Sequence, residues 1–267
     1  MAFLYAQSTE QIDHKEEQAM STTALSREQA AAKVMVALDY PDAASAEQLL
    51  EQLQGIPCYM KVGMQLFYAA GPDFVRRLKE RGYRVFLDVK MHDIPNTVKG
   101  GASSIARLGV DMFNVHAAGG RDMMEAAMDG VEEALAADPS LPRPTVIAVT
   151  QLTSTSEEVL NDEIGIPGTV EEAVARYALL AIASGLDGVV ASPHEVQLVK
   201  DACGPTFQTV TPGIRPAGAD VGDQTRIMTP QDALRAGTDY MVIGRPITRA
   251  ADPRAAIESM IEELIQA

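Results

Sequence analysis

The sequence predicts a (β/α)8 barrel. From Lys33 onward, short β-branched runs alternate with longer stretches of helical periodicity, the pattern of a parallel sheet wrapped by helices. Eight such runs can be counted, and 267 residues suit a single barrel domain of about 250 residues. An open doubly wound sheet is the alternative that the same alternation allows.

Residues 1–32 lie outside the repeat. Their Gln, Glu, Ser, Thr and Ala content predicts a flexible or partly helical extension, or a start placed too early with Met20 as an internal start, and residues 33–267 form the barrel domain. The predicted strands are Val34–Asp39, Tyr59–Gly63, Val85–Lys90, Met112–His116, Thr145–Leu152, Gly188–Ser192, Thr209–Ile214 and Tyr240–Gly244. Helical candidates between them include Ala43–Gln54, Pro72–Arg81, Arg121–Ala136, Val170–Ser184 and Pro230–Ala236, with Pro253–Ile265 after the eighth strand. Gly55, Gly82, Gly109, Gly185, Gly204 and Gly237 fall at or just after helix ends, where a left-handed residue is wanted.

Composition excludes several classes. With 46% hydrophobic and 22% charged residues the chain can bury a full core. A net charge of −15 argues against nucleic acid as a partner, so an anionic substrate must be met by a local cluster of Lys and Arg. Two distant cysteines, Cys58 and Cys203, suggest neither a disulfide framework nor a zinc knuckle and fit a reducing cytoplasm. The apolar opening Met-Ala-Phe-Leu-Tyr-Ala lacks a basic leader, and no segment approaches the roughly 20 apolar residues of a membrane span.

In such barrels the active site lies at the C-terminal strand ends. The polar residues there are Asp39, Lys61, Asp88 with Lys90, His116, Thr153 with Ser154, Ser192, Arg215 and Arg245. The third strand runs Phe86-Leu87-Asp88-Val89-Lys90-Met91-His92-Asp93-Ile94-Pro95-Asn96-Thr97, so alternation puts Asp88 and Lys90 on one face and Asp93 just past the strand. Charges crowded there cost desolvation unless paired, and a paired network is what acid–base or electrostatic catalysis uses. An isolated D-x-K is more often a structural ion pair; its company favours chemistry. His92 and His116 read as orienting or strand-end residues rather than bases. Met123, Met124 and Met128 read as core or interface filler. No acid or histidine cluster has metal-ligand spacing.

The last two strand ends read Thr211-Pro212-Gly213-Ile214-Arg215 and Gly244-Arg245-Pro246-Ile247. Glycine lets backbone N–H groups approach an anion, and a guanidinium adds charge and a bidentate fork, so a phosphate site is expected here. The long 215–226 loop, with Gly218, Gly222 and Gln224, reads as a closing clamp or as an ordinary surface loop.

Together with Val36-Ala37-Leu38-Asp39, Lys61-Val62-Gly63 and Asn114-Val115-His116-Ala117, these motifs closely resemble the bacterial type of the orotidine 5′-monophosphate decarboxylase family over about residues 34–253. The extended D-x-K-x-H-D-I-P-N-T is far more specific than its D-x-K-x-x-D core. The resemblance implies a homodimeric barrel that makes uridine 5′-monophosphate and CO2 from orotidine 5′-monophosphate, the last step of de novo pyrimidine synthesis, without metal or organic cofactor. It implies Asp39 and Lys61 at the ribose hydroxyls, Lys61 also joining the charged array. Asp88 would face the substrate carboxylate, and Lys90 would be the proton donor. Asp93, Ile94 and Thr97 would reach the partner's site. Thr153 or Ser154 would lie near the pyrimidine, and Arg215, Gln224, Gly244 and Arg245 would hold the phosphate. Related barrels with D-x-K-x-x-D are Mg²⁺-dependent sugar-phosphate decarboxylases or synthases; a lysine at position 61 would repel a divalent ion. A catalytically silent phosphate-binding barrel is the remaining alternative, and its array would be broken.

Overall fold

The computed structural model describes residues 25–216 and 227–267. Its eight parallel strands close into a barrel in chain order: β1 Val34–Ala37, β2 Tyr59–Gly63, β3 Arg84–Met91, β4 Met112–His116, β5 Thr145–Val149, β6 Gly188–Val190, β7 Gln208–Thr211 and β8 Tyr240–Ile243. The (β/α)8 prediction holds, and β1 closes the ring by pairing with both β2 and β8. Four predicted strands end two or three residues early because their last residues already form the loops of the upper face. Pro212 has no N–H to give a ladder, and Ser192 caps the turn Pro193–Glu195 with Glu195 reciprocating.

Alternate residues of each strand face inward. Met35, Tyr59, Phe86, Met112, Ile147 and Val210 fill the barrel's interior, while the residues between them form a larger core under the helices. The inner row therefore runs from apolar at the bottom to polar at the top on three successive strands: Tyr59 to Lys61, Phe86 to Asp88, Met112 to Asn114. At the opposite end, an aspartate just before β4, β6 and β8 accepts a backbone N–H at the start of the preceding strand: Asp111 from Val85, Asp187 from Val146 and Asp239 from Thr209, each at 2.7 Å. Each also pairs with a cation, respectively Lys79, Arg143 and Lys200. These clasps set strand stagger at the end away from the polar row.

The helix Pro253–Ile265 matches its prediction, and Ala43–Gln52, Arg121–Ala137, Val170–Ala183 and Pro230–Arg235 differ from theirs by one or two residues. The predicted Pro72–Arg81 is the second half of a kinked helix, Met64–Glu80, whose break is Gly71 at φ 71° before Pro72. Two helices absent from the prediction, Pro95–Ala106 and Val196–Cys203, complete the outer layer. Of the expected extension, residues 1–24 lie outside the described residues. The rest contains the helix Arg27–Ala32, capped by Ser26 and Gln29, with Ala30 and Ala31 buried and Arg27 paired with Glu258 on the C-terminal helix. No described helix is long and apolar enough to cross a membrane.

Candidate active site

The upper mouth of the barrel holds a cavity of about 750 Å³. Its floor is the top apolar layer of the barrel, including Phe86, Val149, Val190, Val210 and Val242. Above the floor, on the β1–β3 side, stand Asp39, Lys61, Asp88 and Lys90.

These four side chains form a chain of alternating charge. Lys61 Nζ lies 2.9 Å from Asp39 Oδ1 and 3.6 Å from Asp88 Oδ2, and Lys90 Nζ lies 2.6 Å from Asp88 Oδ1. The inner members are secluded, with the Lys61 and Asp88 side chains 9% and 13% exposed, whereas that of Asp39 is 61% exposed at the rim. Burial pushes the Asp88 carboxyl upward. Lys61, Lys90 and a hydrogen bond from Asn114 together outweigh that push, so Asp88 is held below the usual carboxylate range and stays ionised.

Lys90 reaches its place through an unusual backbone. It is the one non-glycine residue among those described with a left-handed φ, 50°, a conformation costing on the order of 1–3 kcal/mol that persists only where the surroundings enforce it. The β3–β4 ladder breaks at the same point: Leu87 pairs with Phe113 and Met91 with Val115, leaving Asp88, Val89 and Lys90 opposite Asn114 alone.

The β7–β8 side of the cavity presents Arg215, Arg245 and Arg249 with Gly213 and Gly244. Arg215 is buried at 7% exposure, its Nη1 donating to the Ile214 carbonyl at 2.8 Å. Thr153 and Ser154 line the cavity from the β5 loop. This wall can neutralise a polyanion, and the other can stabilise and protonate a carbanion.

The predicted residues thus divide. Asp39, Lys61, Asp88, Lys90, Thr153, Ser154, Arg215, Gly244 and Arg245 share one cavity. Asp93, Ile94 and Thr97 do not line it; they are exposed on the surface just beyond, with Ile94 67% exposed and Asp93 accepting the Ile94 N–H. Gln224 lies outside the described residues. Ser192, on the strand-end list, is fully buried in its cap and does not reach the cavity. His116 stacks against His92 with ring centroids 5.6 Å apart; burial, then His92 and Lys90, push its pKa down, which favours a neutral ring. Sequence reasoning missed Tyr40, Gln151 and Arg249 as lining residues, and Asn114, which donates to Asp88 from β4. A signal existed for two of these: Arg249 lies four positions after Arg245, and Asn114 is polar on the inner face of an apolar strand. Among the described residues no group of three or more His, Cys, Asp or Glu side chains is placed to hold a metal ion.

Comparison with known proteins identifies the family. The model for the family described as Orotidine 5'-phosphate decarboxylase / HUMPS matches residues 32–260. A relative from Moorella thermoacetica named orotidine 5'-phosphate decarboxylase is 57% identical over 232 residues, covering 87% of this chain and 92% of the relative. One of the same name from Geobacillus thermodenitrificans is 54% identical over 230 residues, covering 86% and 95%. The solved structure of orotidine 5'-phosphate decarboxylase from Lactobacillus acidophilus superposes with a TM-score of 0.78 at 42% identity, covering 86% of this chain and 98% of that one. An uncharacterized conserved protein from Geobacillus kaustophilus gives 0.77 at 46% identity, covering 86% and 99%.

Proposed function

The chain belongs to the orotidine 5′-phosphate decarboxylase / HUMPS family, and from that premise we propose that it decarboxylates orotidine 5′-monophosphate to uridine 5′-monophosphate with its own charged side chains and neither metal nor organic cofactor. The observation that carries this reading is the Asp39–Lys61–Asp88–Lys90 array, secluded at its inner members Lys61 and Asp88, sharing one cavity with three arginines.

The chemistry follows from the charges. Breaking the bond to the carboxylate leaves an electron pair on the ring carbon, and with no cofactor to accept it the protein must favour that anion over the bound carboxylate. The Lys90 ammonium stabilises the developing charge and then gives its proton to that carbon as CO2 departs. Asp88, held ionised, faces the substrate carboxylate. Two like unit charges about 4 Å apart repel by roughly 4 kcal/mol at an effective dielectric near 20, an upper figure worth almost three decades of rate. Lys61 and Asp39 meet the ribose hydroxyls, Thr153 or Ser154 the pyrimidine, and Arg215, Gly244 and Arg245, with Gln224, the phosphate. A cavity of about 750 Å³ is ample for a nucleoside monophosphate.

Lys61 favours this reading over the metal-dependent relatives. Its ammonium stands between two carboxylates, where a divalent ion would otherwise be drawn. The active unit is a homodimer in which Asp93, Ile94 and Thr97, exposed on their own subunit, complete the partner's site. The enzyme works in the cytoplasm, in keeping with two free cysteines.

The test is incubation with orotidine 5′-monophosphate in EDTA, following loss of the orotate absorbance, with Lys90→Ala alongside. Conversion that survives EDTA and disappears in the variant is expected. No conversion by folded wild type, or dependence on Mg²⁺, would overturn the reading and turn attention to sugar phosphates or to a silent phosphate-binding barrel.

A further inference from the structure

Asn114 is fully buried at the polar end of its inner-face row on β4, beside Asp88 and not itself lining the cavity. Its amide makes two bonds. The Lys90 backbone N–H donates to Asn114 Oδ1 at 2.8 Å, and Asn114 Nδ2 donates to Asp88 Oδ1, also at 2.8 Å. The orientation of the amide is dictated by its partners: a backbone N–H needs an acceptor and a carboxylate needs a donor, so flipping the group would set like against like at both ends. The first bond falls where the β3–β4 ladder is broken and where Lys90 takes its left-handed backbone. The Asn114 side chain therefore replaces the ladder acceptor that the bulge removes. The second bond falls on the carboxylate oxygen that also receives Lys90 Nζ.

We propose that Asn114 is a positioning residue of the decarboxylation reaction: a single buried amide that holds the Lys90 backbone in its bulged conformation and the Asp88 carboxylate in its rotamer, and so fixes the proton donor and the like charge relative to each other. The inference rests on the function proposed above. An apolar side chain of similar size would fill the same space but leave the Lys90 N–H without an acceptor and Asp88 with one donor fewer. Asp88 would still face Lys61 from β2, Lys90 on its own strand and His116 from β4, with Asp39 beyond Lys61 and His92 beyond His116.

Two variants separate positioning from mere packing. Asn114→Leu keeps the branched outline of the side chain, with somewhat bulkier methyl groups, and loses both bonds. It is expected to lower kcat by about a hundredfold or more while KM changes by less than about threefold, because the phosphate and ribose contacts are untouched. Asn114→Asp keeps an oxygen facing Lys90 but sets a second carboxylate against Asp88. Such a pair shares a proton readily, and the shared proton restores a donor to Asp88. The kcat of this variant should therefore rise as pH falls toward the carboxylate range, opposite to the wild type's acid limb. Amide hydrogen exchange at Lys90, measured without substrate, is the readout independent of turnover: about tenfold faster in the Leu variant, protected in the Asp variant. Wild-type turnover with unchanged kcat in both variants, or losses in the Asp variant that show no recovery at lower pH, overturns the positioning role and leaves the function standing. Absence of wild-type turnover overturns the proposed function and with it the catalytic part of the role; the exchange pattern then decides alone whether Asn114 holds the bulge.

Discussion

Replacing Lys61 with methionine removes one charge from the site and keeps most of the side chain's length. Lys61 Nζ lies 3.6 Å from Asp88 Oδ2, with both side chains largely buried. At an effective dielectric near 20, unit charges at that separation attract by about 5 kcal/mol. The contact with Asp39 adds less, because that carboxylate is 61% exposed and solvent screens it. Entering water and the remaining Lys90 pair recover part of the loss; if half is recovered, about 2–3 kcal/mol remains, near a hundredfold in kcat/KM. With one of the two cations that hold Asp88 ionised gone, its pKa moves upward, so the acid limb of the activity profile should shift to higher pH. The assay is decay of the orotate absorbance in EDTA across a pH series, with a melting curve to verify folding. In a second arm Mg²⁺ is added: two carboxylates without Lys61 offer hard oxygen ligands, so Mg²⁺ should partly restore the variant and leave the wild type unchanged. A loss below about tenfold, or equal stimulation of both proteins by Mg²⁺, would refute the idea that the Lys61 charge holds the array together.

Three further outcomes are expected. Mixing Lys90→Ala with Asp93→Ala subunits should restore part of the activity that each lacks alone, since one hybrid site would carry both native residues; no rescue despite verified subunit exchange would remove Asp93 from the partner's site. Gly130→Ala should destabilise by about 1–3 kcal/mol in urea denaturation, even though alanine is the better helix former by about 1 kcal/mol, because the new Cβ would stand 2.2 Å from the Lys99 carbonyl oxygen of the neighbouring helix; a raised midpoint would contradict this. His116 has its pKa lowered by burial, then by His92 and Lys90, so the folded state binds fewer protons than the unfolded state and loses stability as pH falls through the ordinary imidazole value of about 6.5. His116→Gln should accordingly lose less stability than the wild type between about pH 7.5 and 5.5, measured by denaturation at each pH, and parallel curves would sink that account.

The barrel was legible because its signals are local. All six glycines placed at helix ends by sequence have φ between 71° and 91°, the backbone that only glycine adopts cheaply, and the eight apolar runs each became a strand. The helix Pro95–Ala106 was not legible, and packing explains why. Gly100, Gly101, Ser103 and Ser104 are poor or middling helix formers, but small side chains there let the helix approach its neighbours: a Cβ on Gly101 would meet Met91 Sδ, and one on Gly130 of the helix Arg121–Ala137 would meet Ala102 as well as Lys99. Tertiary closeness overrode local propensity. At Gly71-Pro72 the punctuation was correct and the inference from it incomplete, since the chain kinks there and the helix continues on both sides.

The site shows the same division in a sharper form. Alternation along β3 puts Asp88 and Lys90 on one face, and both do reach the cavity, but the ladder between them is broken and Lys90 arrives through a left-handed backbone. A period of two has no term for a bulge, and the residue that stabilises it, Asn114, lies on a different strand. Charge placement carries the synthesis further. Asp39, Lys61, Asp88 and Lys90 sum to zero, so the array itself cannot draw an anion to a chain whose net charge is −15. Arg215, Arg245 and Arg249, gathered on the β7–β8 side, are the local positive field that can. On the proposed reading, capture and chemistry are therefore assigned to different strands. The phosphate end supplies binding energy that the neutral array does not, and that energy can be spent on holding the substrate carboxylate against Asp88. A truncated substrate lacking the phosphate should then lose turnover as well as affinity, because the arginines would no longer oppose the repulsion at the other end of the same cavity.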